Sequence, residues 1–186
     1  IMAEKHDVGI VTTLHGTDIT LVGQDPSYFT VTKFSIERSD AVTAVSRYLR
    51  EETYRAFGCT SCEIAVIPNF VSLAAYHPAD AAERARESDE KVLMHISNMR
   101  PVKRLLDIVR VFAQVQAAMP ARLVLVGDGP DRDAAEREAR ALGISSRVRC
   151  VGKVDDIAQA LRSADLYLLP SQTESFGLSA LEAMAT

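Results

Sequence analysis

From residue 91 to the end of the chain, short apolar runs alternate regularly with longer mixed stretches. The runs at 91–96, 122–126, 147–151 and 165–169 have the length and aliphatic content of buried strands. Each is followed by a segment that predicts a helix, over 103–118, 131–142, 156–163 and 177–185. Fully apolar strands joined by helices predict a parallel sheet covered on both faces. The N-terminal third is less regular. It predicts strands at 8–14, 41–45 and 64–67, the last ended by Pro68 and Asn69, with a helix over 29–39. Ser46 has the character of an N-cap for a second helix running to about Phe57.

Between these regions, 74–90 is rich in Ala, Arg, Asp and Glu, the composition of a boundary. The predicted organisation is therefore α/β: one incomplete domain over 1–78, a linker over 79–90 and most of a second domain over 91–186. No internal repeat or low-complexity tract interrupts it.

Composition narrows the class. With 47% hydrophobic and 25% charged residues, the chain reads as an ordinary soluble globular protein. A net charge of −4 argues against a nucleic-acid partner, since phosphate-backbone binders usually carry a basic patch. No apolar stretch is long enough to span a bilayer, and 1–7 lacks the apolar core of a signal peptide. Three cysteines, an odd number, suggest a reducing compartment, here the cytoplasm. Cys59 and Cys62 form a lone C-x-x-C with no second pair or nearby His, and read as incidental surface thiols. Cys150, in a strand, reads as a small buried hydrophobe.

The chemistry concentrates where strands end. Glu174 falls in the loop after the 165–169 strand, and Glu182 lies about a turn and a half into the next helix. Gly177, between them, permits close backbone approach. A helix start presents free N–H groups and a positive dipole end to a phosphate. Two carboxylates beside it could hold the hydroxyls of a sugar and a ribose. On pattern alone, the face carrying Ser179 and Glu182 reads equally as a solvated stripe on a buried helix.

After the 91–96 strand, Arg100, Lys103 and Arg104 cluster at a helix start, against the usual dipole preference. They are either solvated charges or the partners of a diphosphate. Gly127-Asp128-Gly129-Pro130 lacks the spacing of a dinucleotide fingerprint and reads as a structural turn at the nucleotide edge. In Gly152 to Asp156 the acids suit helix capping, with backbone contact to a base, at Val154, as the lesser reading. In the first domain His15, with Thr17 and Asp18, follows a buried strand in a glycine-containing loop, where it could bind a sugar hydroxyl or an acceptor. No Ser/His/Asp order or zinc spacing is present, so paired acids favour a metal-independent transfer.

The E-S-F-G-L-x-x-x-E context of Glu174 and Glu182 resembles the E-x7-E motif of retaining glycosyltransferase family 4. That family has the GT-B fold of two Rossmann-like doubly wound domains. The segments T-L-H-G-T-D at 13–18, S-D-A-V-T-A-V-S at 39–46, I-P-N-F-V at 67–71 and H-I-S-N-M-R-P-V-K-R at 95–104 narrow the resemblance. They are similar to those of members that move N-acetylglucosamine from UDP-GlcNAc to the hydroxyl of L-malate, the first step of bacillithiol biosynthesis. Family members with an inositol phosphate, lipid or polysaccharide acceptor, and a nucleotide-sugar binding module without turnover, remain the alternatives.

The resemblance implies catalytic roles for His15, Lys103 and Glu174, and donor contacts from Asn98, Arg100, Lys103, Val154, Glu174, Ser175, Phe176, Gly177, Leu178 and Glu182. Among these, Glu182 would hold the uridine ribose and Glu174 the 3-hydroxyl of the donor sugar. Thr17 and Asn69 would face the acceptor. No metal or other cofactor is implied, and homo-oligomerisation is left open. Because the family's first β-α unit and the end of its second domain have no counterpart here, these 186 residues by themselves are expected to be inactive.

Overall fold

A computed structural model of the chain describes residues 8–59, 62–80 and 89–186. They cluster into two compact units, bounded as Ile1–Asn69 with Glu174–Phe176, and Phe70–Thr173 with Gly177–Thr186. Most of the expected linker, residues 81–88, and the 1–7 segment lie outside the described residues.

In the first unit, β1 (Val11–Leu14), β2 (Ala41–Ala44) and β3 (Ile64–Val66) pair in that order, all parallel. Around them run α1 (Thr17–Thr20), α2 (Pro26–Glu37) and α3 (Arg47–Phe57). Leu14, Val42, Ala44 and Ile64 share one core with Ile19, Ile36, Leu49 and Phe57. The helix α2 begins before the expected residue 29 because Asp25 caps it. The Asp25 carboxylate accepts the Ser27 amide at 2.8 Å, and Pro26 fills the first helical position. The Ser46 hydroxyl caps α3, as expected, by accepting the Leu49 amide at 3.1 Å. Ser46→Ala should cost about 1 kcal/mol, measured as a lower urea midpoint at unchanged slope.

The C-x-x-C reading requires correction. Cys59 and Cys62 are joined in a disulfide, with Cα atoms 6.0 Å apart, a separation that a bridge can span. Cys59 is buried against the first unit's core, so it is not a surface thiol.

In the second unit, β4 (Lys91–Ile96), β5 (Ala121–Val126), β6 (Val148–Gly152) and β7 (Leu166–Tyr167) form a parallel sheet ordered β6-β5-β4-β7. The helices are α4 (Leu105–Ala118), α5 (Arg132–Ala141), α6 (Ile157–Arg162) and α7 (Leu178–Ala185). Alternation along the strands divides the core in two. Leu93, Leu123 and Leu125 pack with Ile108, Val109 and Phe112 of α4 and Ala135 and Ala139 of α5. Met94 and Val126 pack with Leu161 of α6 and, at the margin, Tyr76 and Ala183. Both faces are covered, as the apolar strands predict.

Strand β7 is shorter than the expected 165–169. The Leu168 amide still bonds the Met94 carbonyl at 2.8 Å, but the Leu168 carbonyl turns out of the ladder to the ring of His95. Cys150 is half-buried on β6, and burial, with Glu136 nearby, pushes its thiol up to about 11. It stays protonated at neutral pH.

Candidate functional site

The chain leaves β4 towards β5 and β6, then returns to lay β7 along the opposite side of β4. In an open parallel sheet such a reversal leaves a crevice at the carboxyl ends of the diverging strands. The loop after β4, residues 97–104, and the chain leaving β7 meet there. The Gln172 amide donates to the Val102 carbonyl at 2.8 Å.

A buried histidine organises the first of these loops. His95 is fully buried, and its Nδ1 lies 2.8 Å from the Leu168 carbonyl. A carbonyl only accepts, so Nδ1 carries the proton. In the neutral ring, Nε2 then accepts from the Ser97 hydroxyl at 2.8 Å. The Ser97 oxygen in turn accepts the Met99 amide at 3.1 Å. Met99 is thereby held inward, at φ 44°, while Asn98 and Arg100 on either side are exposed.

The three-cation helix start is corrected in part. Residues Pro101–Lys103 form a 3-10 turn and α4 begins at Leu105, because Arg104 has a left-handed φ of 56° that no α-helical residue adopts. The Arg104 guanidinium pairs with Asp107 at 2.7 Å in the first turn of α4. The dipole conflict is thus answered locally at Arg104, and Arg100 and half-buried Lys103 are the cations carried by the turn itself.

Behind this loop stand Gly127 and Gly129. A Cβ at Gly127 would lie 1.9 Å from the Ser97 carbonyl oxygen, and one at Gly129 would lie 2.0 Å from that of Asn98. The Asp131 amide donates to the Met99 carbonyl at 3.0 Å. The glycine turn is a backing plate for the cationic loop, in keeping with its structural reading.

On the other wall, Gly177 takes φ 84° and opens α7, its carbonyl accepting the Ala180 and Leu181 amides at 3.0 and 3.2 Å. The first amides of any α-helix have no partner within it and face outward from its start. Leu178 is exposed there. Glu182 is half-buried and accepts the Tyr76 hydroxyl at 3.0 Å. Burial first, then Glu182, pushes the Tyr76 phenol above its ordinary range. Glu182 is therefore tied to a tyrosine rather than standing on a solvated stripe. The Asp156 carboxylate caps α6 by accepting the Gln159 amide at 2.8 Å, and the Val154 side chain packs into the apolar cluster beneath.

The remaining residues belong to the first unit. The Asp18 carboxylate accepts the Gly16 amide at 2.6 Å, folding the loop so that His15 and Thr17 are exposed. Glu174, Ser175 and Phe176 cluster with this unit, and Phe176 packs on its core. A Cβ at Gly16 would come within 2.6 Å of Ser175, so this segment adjoins the His15 loop. Asn69 is half-buried at the unit's end. The residues expected to bind the donor thus divide between units: Asn98, Arg100, Lys103, Val154, Gly177, Leu178 and Glu182 in one, Glu174, Ser175 and Phe176 in the other.

Sequence reasoning missed Tyr76, His95 and Gln172. His95 could have been found as a polar residue inside an apolar strand. Tyr76 bears no local signal of a partner 106 residues away. Among the described residues, no group of three His, Cys, Asp or Glu could hold a metal ion, and no helix is long and apolar enough to cross a membrane.

Comparison with known proteins bears on these residues. The family described as glycosyl transferases group 1 matches 78–186, and that described as glycosyltransferase family 4 matches 1–75. The N-acetyl-alpha-D-glucosaminyl L-malate synthase of Bacillus anthracis is 44% identical over 182 residues, covering 96% of this chain and 48% of that protein. The D-inositol 3-phosphate glycosyltransferase of Kineococcus radiotolerans is 31% identical over 167 residues, covering 81% of this chain and 38% of that protein. The chain spans about half the length of the first of these relatives and less of the second. The structure of Anabaena Alr3699/HepE in complex with UDP and glucose superposes with a TM-score of 0.81 at 22% identity, over 98% of this chain and 52% of that one. That likeness concerns the fold, which is of the GT-B type.

Proposed function

The chain belongs to the glycosyl transferases group 1, and from this premise we propose that it is part of a retaining glycosyltransferase that moves N-acetylglucosamine from UDP-GlcNAc to the hydroxyl of L-malate. The observation that carries the donor half is the strand order, with β7 beside β4, in a unit that also holds the Lys103 turn, the start of α7 and Glu182. The malate half rests on the 44% identical relative and its name.

In this reading the malate hydroxyl oxygen bonds to the anomeric carbon as the bond from that carbon to the β-phosphate oxygen breaks. The hydroxyl proton passes to the departing phosphate, on the same face of the sugar. Negative charge grows on the diphosphate, and Lys103 and Arg100, with the amides opening α7, are the groups that meet it. Glu182 holds the ribose, Glu174 the sugar, and His15 the sugar's outer hydroxyls, while Thr17 and Asn69 serve the acceptor. The proposal needs no metal, since the cations carry the diphosphate charge. A cytoplasmic setting belongs to it because both substrates are charged and do not cross bilayers unaided.

The 31% identical relative favours a second reading, with an inositol phosphate as acceptor. Release of UDP from UDP-GlcNAc by the full-length protein separates the two. Stimulation by L-malate and not by inositol 3-phosphate is expected. The reverse pattern would transfer the assignment to the second acceptor, and stimulation by neither would remove both.

A further inference from the structure

We propose that Tyr76 is a positioning residue that sets Glu182 for the nucleotide ribose, an inference that rests on the donor-binding reading of Glu182. A glutamate on a helix surface samples many rotamers, and each must be lost before its carboxylate can bind a sugar hydroxyl. Here one of them is selected in advance. The Tyr76 hydroxyl donates to Oε1 of Glu182 at 3.0 Å, which directs the hydrogen-bonding capacity of Oε2 elsewhere.

Tyr76 is itself fixed at both ends. The Ser72 carbonyl accepts the Ala75 and Tyr76 amides at 3.0 and 2.9 Å, forming a turn that presents the ring. The ring then packs beside Met94, Val126 and Leu161, the cluster under β4 and β5 that also takes Ala183 of α7. The segment that opens the second unit is thereby used as a brace for the carboxylate. A phenylalanine would fill the same space without the brace, so the hydroxyl serves orientation rather than packing.

The test uses the full-length protein with Tyr76→Phe and, separately, Glu182→Ala, each titrated with UDP and with its 2′,3′-dideoxy analogue. If the proposal holds, Y76F weakens UDP by about 5–10-fold, the range of one hydrogen bond, and leaves the dideoxy analogue unchanged. The KM for UDP-GlcNAc rises in step and kcat moves little. Equal weakening of both ligands, or of neither, overturns the role of Tyr76. The E182A arm tests the underlying reading on its own. If E182A still prefers UDP to the dideoxy analogue as strongly as the wild type does, Glu182 is not the ribose ligand. If E182A loses the preference while Y76F keeps it in full, the ribose reading stands and the tyrosine brace falls.

Discussion

Replacing Lys103 with methionine in the full-length protein should lower kcat for UDP release by about 10²–10³-fold, the usual cost of removing one group aimed at developing charge. KM should change far less, because the diphosphate gains most of its extra charge as the glycosidic bond breaks. The expectation follows from the 3-10 turn Pro101–Lys103, held from one side by the Gln172 amide and from the other by the Ser97–Met99 bonds. The turn presents the ammonium group from a rigid frame. Lys103→Arg restores the charge but not the shape, since a planar fork replaces a point charge, and should recover only part of the rate. A methionine variant with wild-type kcat would remove Lys103 from the mechanism.

The second large effect is on stability. Gly127 has φ 111°, and an added Cβ would sit 1.9 Å from the backbone oxygen of Ser97. No rotamer relieves that overlap, because the Cβ position is set by the backbone and the atom it meets is a backbone oxygen. Gly127→Ala should therefore cost about 3 kcal/mol, in the range of strain at a special backbone position. Calorimetry of the full-length variant would show this as a fall in Tm of about 6–12 °C for a domain of 150–250 residues. The residual folded protein should also bind UDP poorly, because the displaced backbone carries Asn98 and Arg100. A variant that melts with the wild type would show that the glycine turn does not back the cationic loop.

Much of this arrangement was legible in the chain. The apolar runs at 91–96 and 122–126 match β4 and β5 to within a residue, and Ser46 caps α3 as its side chain suggests. Such features depend on the local alternation of side chains and on hydroxyls close in sequence to the amides they satisfy. Reading failed where a local preference was overruled from a distance. The 165–169 run gives only a two-residue strand because buried His95 captures the Leu168 carbonyl. The C-x-x-C gave no sign that Cys59 would be buried, which depends on the core beneath it.

By itself, then, the sequence determined the elements, the α/β class, the loops proposed to carry the chemistry and the E-x7-E motif of the family. Only the tertiary structure decided that β7 lies beside β4 and not beside β6, which brings the chain leaving β7 to the Lys103 turn. It alone joined Tyr76 to Glu182 across 106 residues. The physical reason is the same in both cases. Helix and strand periodicity is written in each residue's own backbone and side chain. A parallel ladder joins amides and carbonyls common to every residue, so neither it nor a lone phenol–carboxylate bond leaves any mark in sequence of the partner it will find.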